Sequence, residues 1–275
     1  MKTLYVSDLD GTLLRNDKSV SAYTASTINA LIERGVLFTY ATARSYHTAT
    51  EVTRGLFPRV PLILYNGTFV VTPEGEVLLS STLDKERAKE LLDELKIKEI
   101  SPLVYAFIDG EEKFSYSKSN LTRGIKAFLD DHPSDPRCNP TSEGELSQGE
   151  IFHITCIDEY DKLEPLYNAL AGEYQCVLYK DSYTNEWWLE IMPSEATKAR
   201  AAEYVADLLG CEKIVFFGDG VNDLSMRGAA SELYATENAH PSLKEIADGI
   251  VASNEDDGVA KWLLERISDE KQTAQ

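Results

Sequence analysis

Positive charge is scarce in this 275-residue chain: 27 Lys and Arg stand against 46 Asp and Glu, a formal net charge of −19. That argues against nucleic acid or an anionic membrane surface as a partner, because affinity for phosphate arrays rests on Lys and Arg displacing counterions. Long apolar runs are also missing; none approaches the roughly 18 residues of a membrane span. The opening MKTLYVSDLDG carries two aspartates where a secretory leader needs an uninterrupted apolar centre. Cys138, Cys156, Cys176 and Cys211 include no C-x-x-C pair, so neither a zinc site nor a disulfide framework has recognisable spacing, and a cytoplasmic home is expected. His47, His132, His153 and His240 lie too far apart to suggest a metal triad, and Gly218-x-Gly220 lacks the third glycine of a dinucleotide fingerprint. Internal repeats and low-complexity tracts are absent.

What is present is a 43% hydrophobic chain long enough for one large domain or two unequal ones. Short β-branched and aromatic runs alternate with helical-period segments, the pattern of parallel strands joined by crossover helices. Leu4 to Leu9 reads as a first strand, Ser21 to Arg34 as a helix, Val36 to Tyr40 as a second strand, and Leu62 to Tyr65 as a third. The rhythm changes after a hairpin signal at Thr72-Pro-Glu-Gly75, and amphipathic elements run from Leu83 to about Trp188. Within them, the polar, proline-bearing stretch Asp131 to Glu150 reads as a loop. From Pro193 the first rhythm returns, with a helix from Ser194 to Leu209, an apolar strand Ile214 to Phe217, and an end fraying from Ser268. The expected fold is α/β: a doubly wound parallel-sheet core over 1–82 and 189–275, split by an inserted α/β module over 83–188.

Acidic residues collect at expected strand ends. Asp8-Leu9-Asp10-Gly11-Thr12-Leu13 closes the first strand, and alternation along a strand puts both carboxylates on one side, at the sheet edge where open α/β folds bind ligands. Asp219, Asn222 and Asp223 follow a later strand, with Gly218 and Gly220 permitting a tight turn. Asp10, Thr12 and Asp223 also suit helix capping, and that reading stays open. Carboxylates converging without His or Cys form a hard oxygen site suited to Mg²⁺.

D-L-D-G-T-L and G-D-G-V-N-D, in this order, resemble the first and fourth motifs of the haloacid dehalogenase superfamily of phosphohydrolases. Phe38-Thr-Tyr-Ala-Thr42-Ala-Arg44 is similar to the second motif and Lys198 in Pro193-Ser-Glu-Ala-Thr-Lys198 to the third. A large insertion between motifs two and three, with Tyr65-Asn66-Gly67 and Asn254-Glu-Asp-Asp-Gly258, resembles the Cof-type, subfamily IIB branch. The resemblance implies a Rossmann-like core, an inserted cap that closes to exclude water, and a phosphatase working through an aspartyl-phosphate. It implies Asp8 as nucleophile, Asp10 as general acid and base, and Mg²⁺ on Asp8, the Asp10 carbonyl and Asp219. Leu9, Thr42, Ala43, Arg44, Asn66, Gly67, Lys198 and Asn222 would bind substrate or its phosphate, with Asp223 orienting the metal site or Lys198. The branch usually has Gly where Ala43 stands, and alanine would be strained there if the loop needed a positive φ.

The implied substrate is a small phosphorylated metabolite, sugar phosphates foremost; monomer and homodimer are both open. A phosphomutase, a catalytically inactive sugar-phosphate-binding regulator and a structural Ca²⁺ module are the other readings. Trp187, Trp188, Tyr183 and Tyr116 are candidates for stacking on a sugar or base, although strand propensity favours partial burial. Lys198 reads by default as a solvated helical lysine, just past the first turn of a helix capped by Ser194.

Overall fold

The run TLYVS after Lys2, rich in β-favouring residues, forms β1 (Thr3–Ser7), which becomes a middle strand of the main sheet. The computed structural model describes residues 2–181 and 184–273, the side chains of 269–273 excepted. After β1 come α1 (Ala22–Glu33), β2 (Leu37–Tyr40), α2 (Tyr46–Val52), β3 (Leu62–Leu64), β4 (Phe69–Val71) and β5 (Val77–Ser80). Next are α3 (Lys85–Ile97), β6 (Pro102–Ile108), β7 (Glu111–Ser117), α4 (Arg123–Asp131), β8 (Cys138–Thr141), β9 (Glu150–Asp158), α5 (Tyr160–Leu170), β10 (Gln175–Lys180) and β11 (Trp187–Met192). The chain ends with α6 (Lys198–Leu209), β12 (Lys213–Gly218), β13 (Glu232–Thr236), α7 (Pro241–Ile246), β14 (Gly249–Val251) and α8 (Gly258–Thr273).

Two compact units result, Met1–Ser80 with Ala196–Gln275, and Ser81–Glu195. In the first, five parallel strands lie in the order β14-β13-β12-β1-β2. Leu4 and Val6 of β1 pack with Phe216, Leu233 and Ala235 of the neighbouring strands and with Ala201, Ala202 and Val205 of α6. β3, β4 and β5 form a small antiparallel sheet, joined to the end of β2 by a parallel bridge from Ala41 to Ile63. Thus the α/β class and parallel core expected from the alternation are present.

The second unit is a six-stranded sheet in the order β10-β11-β9-β6-β7-β8, antiparallel except where β7 meets β8. Strand period two puts Val104, Ala106, Ile154, Cys156, Leu189 and Ile191 in one cluster with Leu91 and Leu95 of α3 and Leu163 and Leu166 of α5.

Several boundaries differ from the sequence reading. β11 lies wholly in the second unit's sheet, so the return to the first unit falls at Ala196 rather than at 189. The stretch read as a loop holds β8, a polar edge strand that contains Pro140 and lacks the alternation that reveals half-buried strands. The last helix, anchored up to Ile267 by buried Val259, Ala260, Leu263 and Ile267, runs past Ser268 to Thr273, and residues 274–275 of the stretch expected to fray lie outside the described residues. Trp187, Trp188 and Tyr116 are half-buried, Trp187 against Tyr160 and Trp188 against Phe128 and Tyr179; Tyr183 lies outside the described residues. Among the described residues, no helix is long and apolar enough to cross a membrane.

Candidate active site

β1 and β12 are parallel neighbours, with Ser7 paired to Phe217, and from them the chain proceeds to β2 on one side and β13 and β14 on the other. Strand order therefore reverses between them, and the carboxyl ends at such a point open a crevice. Asp8 leaves β1 there, its amide donating to the Phe217 carbonyl at 2.8 Å, and Asp219 leaves β12 beside it. The strand stops at Ser7, so simple alternation does not align Asp8 with Asp10. Instead Leu9–Leu13 forms one tight turn, closed by Leu14 N–H donating to the Leu9 carbonyl at 2.8 Å. Gly11 turns at φ +71°, and a Cβ on it would stand 2.2 Å from Asp219 Oδ2. Glycine lets this turn lie directly against the second acidic segment.

Lys198 is not a surface lysine. The α6 N-cap is Thr197, not Ser194: its hydroxyl accepts from Arg200 N–H, which makes Lys198 the first residue of the helix and sends its side chain inward. Its buried Nζ donates to Asp223 Oδ1 at 2.7 Å and pairs with Asp8 Oδ1 at 2.9 Å. Asp223 Oδ2 accepts the amides of Asp219 and Gly220, each at 2.9 Å, so this side chain both caps its turn and fixes the lysine. Thr12, read as a possible cap, instead donates to Asp219 Oδ1 at 2.9 Å.

Asp8, Asp219 and Asp223 each offer an oxygen within 4.8 Å of the others. Burial raises the Asp8 pKa well above its ordinary value; Lys198 opposes this, while Asp223 and Asp219 reinforce it. Burial likewise lifts Asp219 to about 7, with Asp223 adding to the effect. Burial disfavours the Lys198 ammonium, yet Asp223 and Asp8 together hold its pKa above the ordinary value. Three carboxylates facing one ammonium leave two negative charges uncompensated when all are ionised, and a divalent oxygen-seeking cation fits that donor set.

Asp10 turns elsewhere. Arg44 binds it with two bonds, Nε to Oδ2 at 2.7 Å and Nη2 to Oδ1 at 2.6 Å. Its carboxylate is outside the acidic cluster, which leaves its backbone carbonyl for the role the resemblance implies. Thr42 is buried, its hydroxyl accepting from Arg44 N–H at 3.2 Å and its carbonyl from Asn66 N–H at 2.9 Å. Asn222 Nδ2 donates to Asn66 Oδ1 at 3.0 Å. A Cβ on Gly67 would lie 2.1 Å from the Thr197 carbonyl, so the Tyr65–Gly67 turn abuts the start of α6. Leu9 N–H donates to Asp8 Oδ1 at 2.7 Å. Ala43 is not among the described residues with positive φ, so the feared strain at that position does not arise.

A family model for haloacid dehalogenase-like hydrolases matches residues 5–263. The chain belongs to this family. It is thus a hydrolase, as the four motifs implied. Over 273 residues it is 28% identical to the 5-amino-6-(5-phospho-D-ribitylamino)uracil phosphatase YitU of Bacillus subtilis, covering 96% of this chain and 97% of that one. A second Bacillus subtilis phosphatase of that description, YwtE, is 29% identical over 284 residues, covering 95% and 96%. The crystal structure of TM0651 from Thermotoga maritima superposes with a TM-score of 0.76 at 28% identity, covering 97% of each chain.

Sequence reading missed the role of Asn238, whose Nδ2 donates to the Gly11 carbonyl at 2.7 Å, and of Asn254, whose Nδ2 donates to the Leu14 carbonyl at 2.9 Å. The signal for Asn238 was available: it follows a parallel strand, at the same sheet edge as Asp8 and Asp219.

Proposed function

We propose that this hydrolase is a Mg²⁺-dependent phosphatase of small phosphorylated metabolites, sugar and polyol phosphates foremost, working through a phosphoaspartate on Asp8. The observation that carries the reading is the convergence of Asp8, Asp219 and Asp223 around the buried Lys198 ammonium. Mg²⁺ on Asp8, Asp219 and the Asp10 carbonyl would supply the charge that keeps Asp8 ionised and offsets its repulsion from a phosphate dianion, on the order of 4 kcal/mol at 4 Å and an effective dielectric of 20. An ordinary carboxylate would need no such help at neutral pH; this one is raised by burial.

In the proposed reaction, an Asp8 oxygen attacks phosphorus while the bond to the leaving oxygen breaks and Asp10 gives that oxygen a proton. Asp10 then takes a proton from the water that opens the phosphoaspartate, releasing inorganic phosphate and restoring Asp8. Lys198 holds the nucleophile in place and counters the phosphoryl charge; Thr42, Asn222 and the backbone amides after Asp8 complete the anion clamp. Arg44 keeps both Asp10 oxygens occupied, so the acid role requires one of those bonds to open. Selection of the leaving group is assigned to the inserted unit.

The curated relatives support the substrate class, since the compound in their names carries its phosphate on a ribityl chain. Phosphate release from a panel of sugar and polyol monophosphates tests the reading. Turnover is expected with Mg²⁺ and is expected to vanish with chelator or in Asp8→Asn; chelator-resistant turnover refutes it, and an isomeric phosphate product without release identifies a mutase.

A further inference from the structure

We infer that Asn238 and Asn254 form a bracket that positions the turn after the nucleophile, and that this bracket tunes cation affinity and turnover rather than substrate binding. The inference rests on the metal site proposed above. The turn Leu9–Leu13 has walls on two sides. On one, Thr12 holds Asp219 and Gly11 lies against its carboxylate. On the other, two carboxamides hold main-chain carbonyls of the same loop, Asn238 at Gly11 and Asn254 at Leu14.

The two residues are also linked, because the main-chain N–H of Asn254 donates to Asn238 Oδ1 at 3.2 Å. This fixes which way the Asn238 amide faces: its oxygen is taken by residue 254, so its NH₂ must address Gly11. Asn254 is buried and its Nδ2 also reaches Asn16 Oδ1 at 3.2 Å, whereas Asn238 is exposed. The Gly11 carbonyl lies one peptide beyond that of Asp10. Releasing it lets the turn relax away from Asp219, widening the donor set a small cation needs.

The same C-terminal segment makes a second grip that serves as an internal control. The Asp257 carboxylate accepts from Ser21 and Thr24 at the start of α1 and pairs with Arg15 at 2.9 Å; none of these three partners lies between residues 8 and 14, and only its main-chain N–H turns to the Asn254 carbonyl, a bond that Asp257→Asn keeps. Loss of that grip should cost stability alone.

The test compares wild type, Asn238→Ala and Asp257→Asn in the full chain. Mg²⁺ affinity is measured by calorimetry without substrate, kcat and KM on an active phosphate ester, and Tm by thermal unfolding. For Asn238→Ala, Mg²⁺ Kd should rise and kcat fall by about tenfold, the scale of outer partners of a metal site, with KM within about twofold. Because the residue is exposed, its Tm should move by no more than about 2 °C. Asp257→Asn should lower Tm and leave Kd and kcat unchanged. Wild-type Kd and kcat in Asn238→Ala overturn the bracket, as does a kcat loss that tracks Tm with Kd unchanged. A wild type without Mg²⁺-dependent turnover overturns the proposed activity itself and the bracket with it.

Discussion

The buried contact of Lys198 with Asp223 lends itself to a double-mutant cycle. Asp223 uses both oxygens as acceptors, one for the ammonium and one for two backbone amides. Asparagine has a single acceptor oxygen, so Asp223→Asn must turn its NH₂ either toward the ammonium or toward two N–H groups, a donor facing donors in both cases. Removing one partner of a buried pair costs about 3–5 kcal/mol, equivalent to a fall on the order of 10 °C in Tm for a protein of this size. Lys198→Met keeps the length of the side chain and removes its charge, leaving Asp8 and Asp223 without their shared counter-ion. The double variant Lys198→Met/Asp223→Asn removes the unpaired Asp223 carboxylate that Lys198→Met creates and the donor-against-donor clash that Asp223→Asn creates, while Asp8 stays without its counter-ion as in Lys198→Met alone. It should therefore be more stable than the sum of the singles predicts, by roughly 1–3 kcal/mol. Urea unfolding of all four proteins in chelator, so that no cation fills the gap, measures this. Strict additivity would refute the claim that these two side chains act as one unit.

Burial drives the pKa of His153 from 6.5 down to about 3, so the folded chain binds its proton more weakly than the unfolded chain and His153 erodes stability as pH falls through that window. The raised pKa of Asp219, 3.8 to about 7, works in the opposite sense in metal-free protein, eroding stability as pH rises. The His153 contribution is accordingly read as a difference: His153→Gln should gain on wild type by something on the order of 4 kcal/mol between pH 6.5 and 3, measured by urea unfolding, and a pH-independent difference contradicts the assignment. Gly11→Ala forces a side chain into φ +71° and onto Asp219, so calorimetry should find Mg²⁺ affinity lost by more than about tenfold; unchanged affinity would mean the turn and Asp219 do not share a site.

The acidic segments were legible because they obey a topological rule: polar groups at the carboxyl ends of apolar strands meet wherever those strands become neighbours. Asp8 and Asp219 could be paired in that way without knowing any distance. Lys198 was legible only through resemblance, since its local pattern is that of a surface helix, and the shift of the cap from Ser194 to Thr197 is what turns it inward. Two kinds of information stayed hidden. The Arg44 grip on Asp10 joins residues 34 apart through geometry that no periodicity encodes. β8 escaped notice because an edge strand with a proline and polar neighbours resembles a loop in every local respect.

The order of β1 and β12 in the sheet also bears on how the molecule is made. β1, the strand that leads into Asp8, is made well before one of its two flanking strands, which starts at Lys213. At about 5–20 residues per second, translation keeps β1 waiting roughly 10–40 s for that neighbour. The inserted unit, Ser81–Glu195, is contiguous and needs no later segment to complete its sheet. Chains should thus acquire the guest before the host, and a polypeptide ending near residue 195 would, once released, hold every strand of the second unit's sheet but lack β12, β13 and β14 of the first.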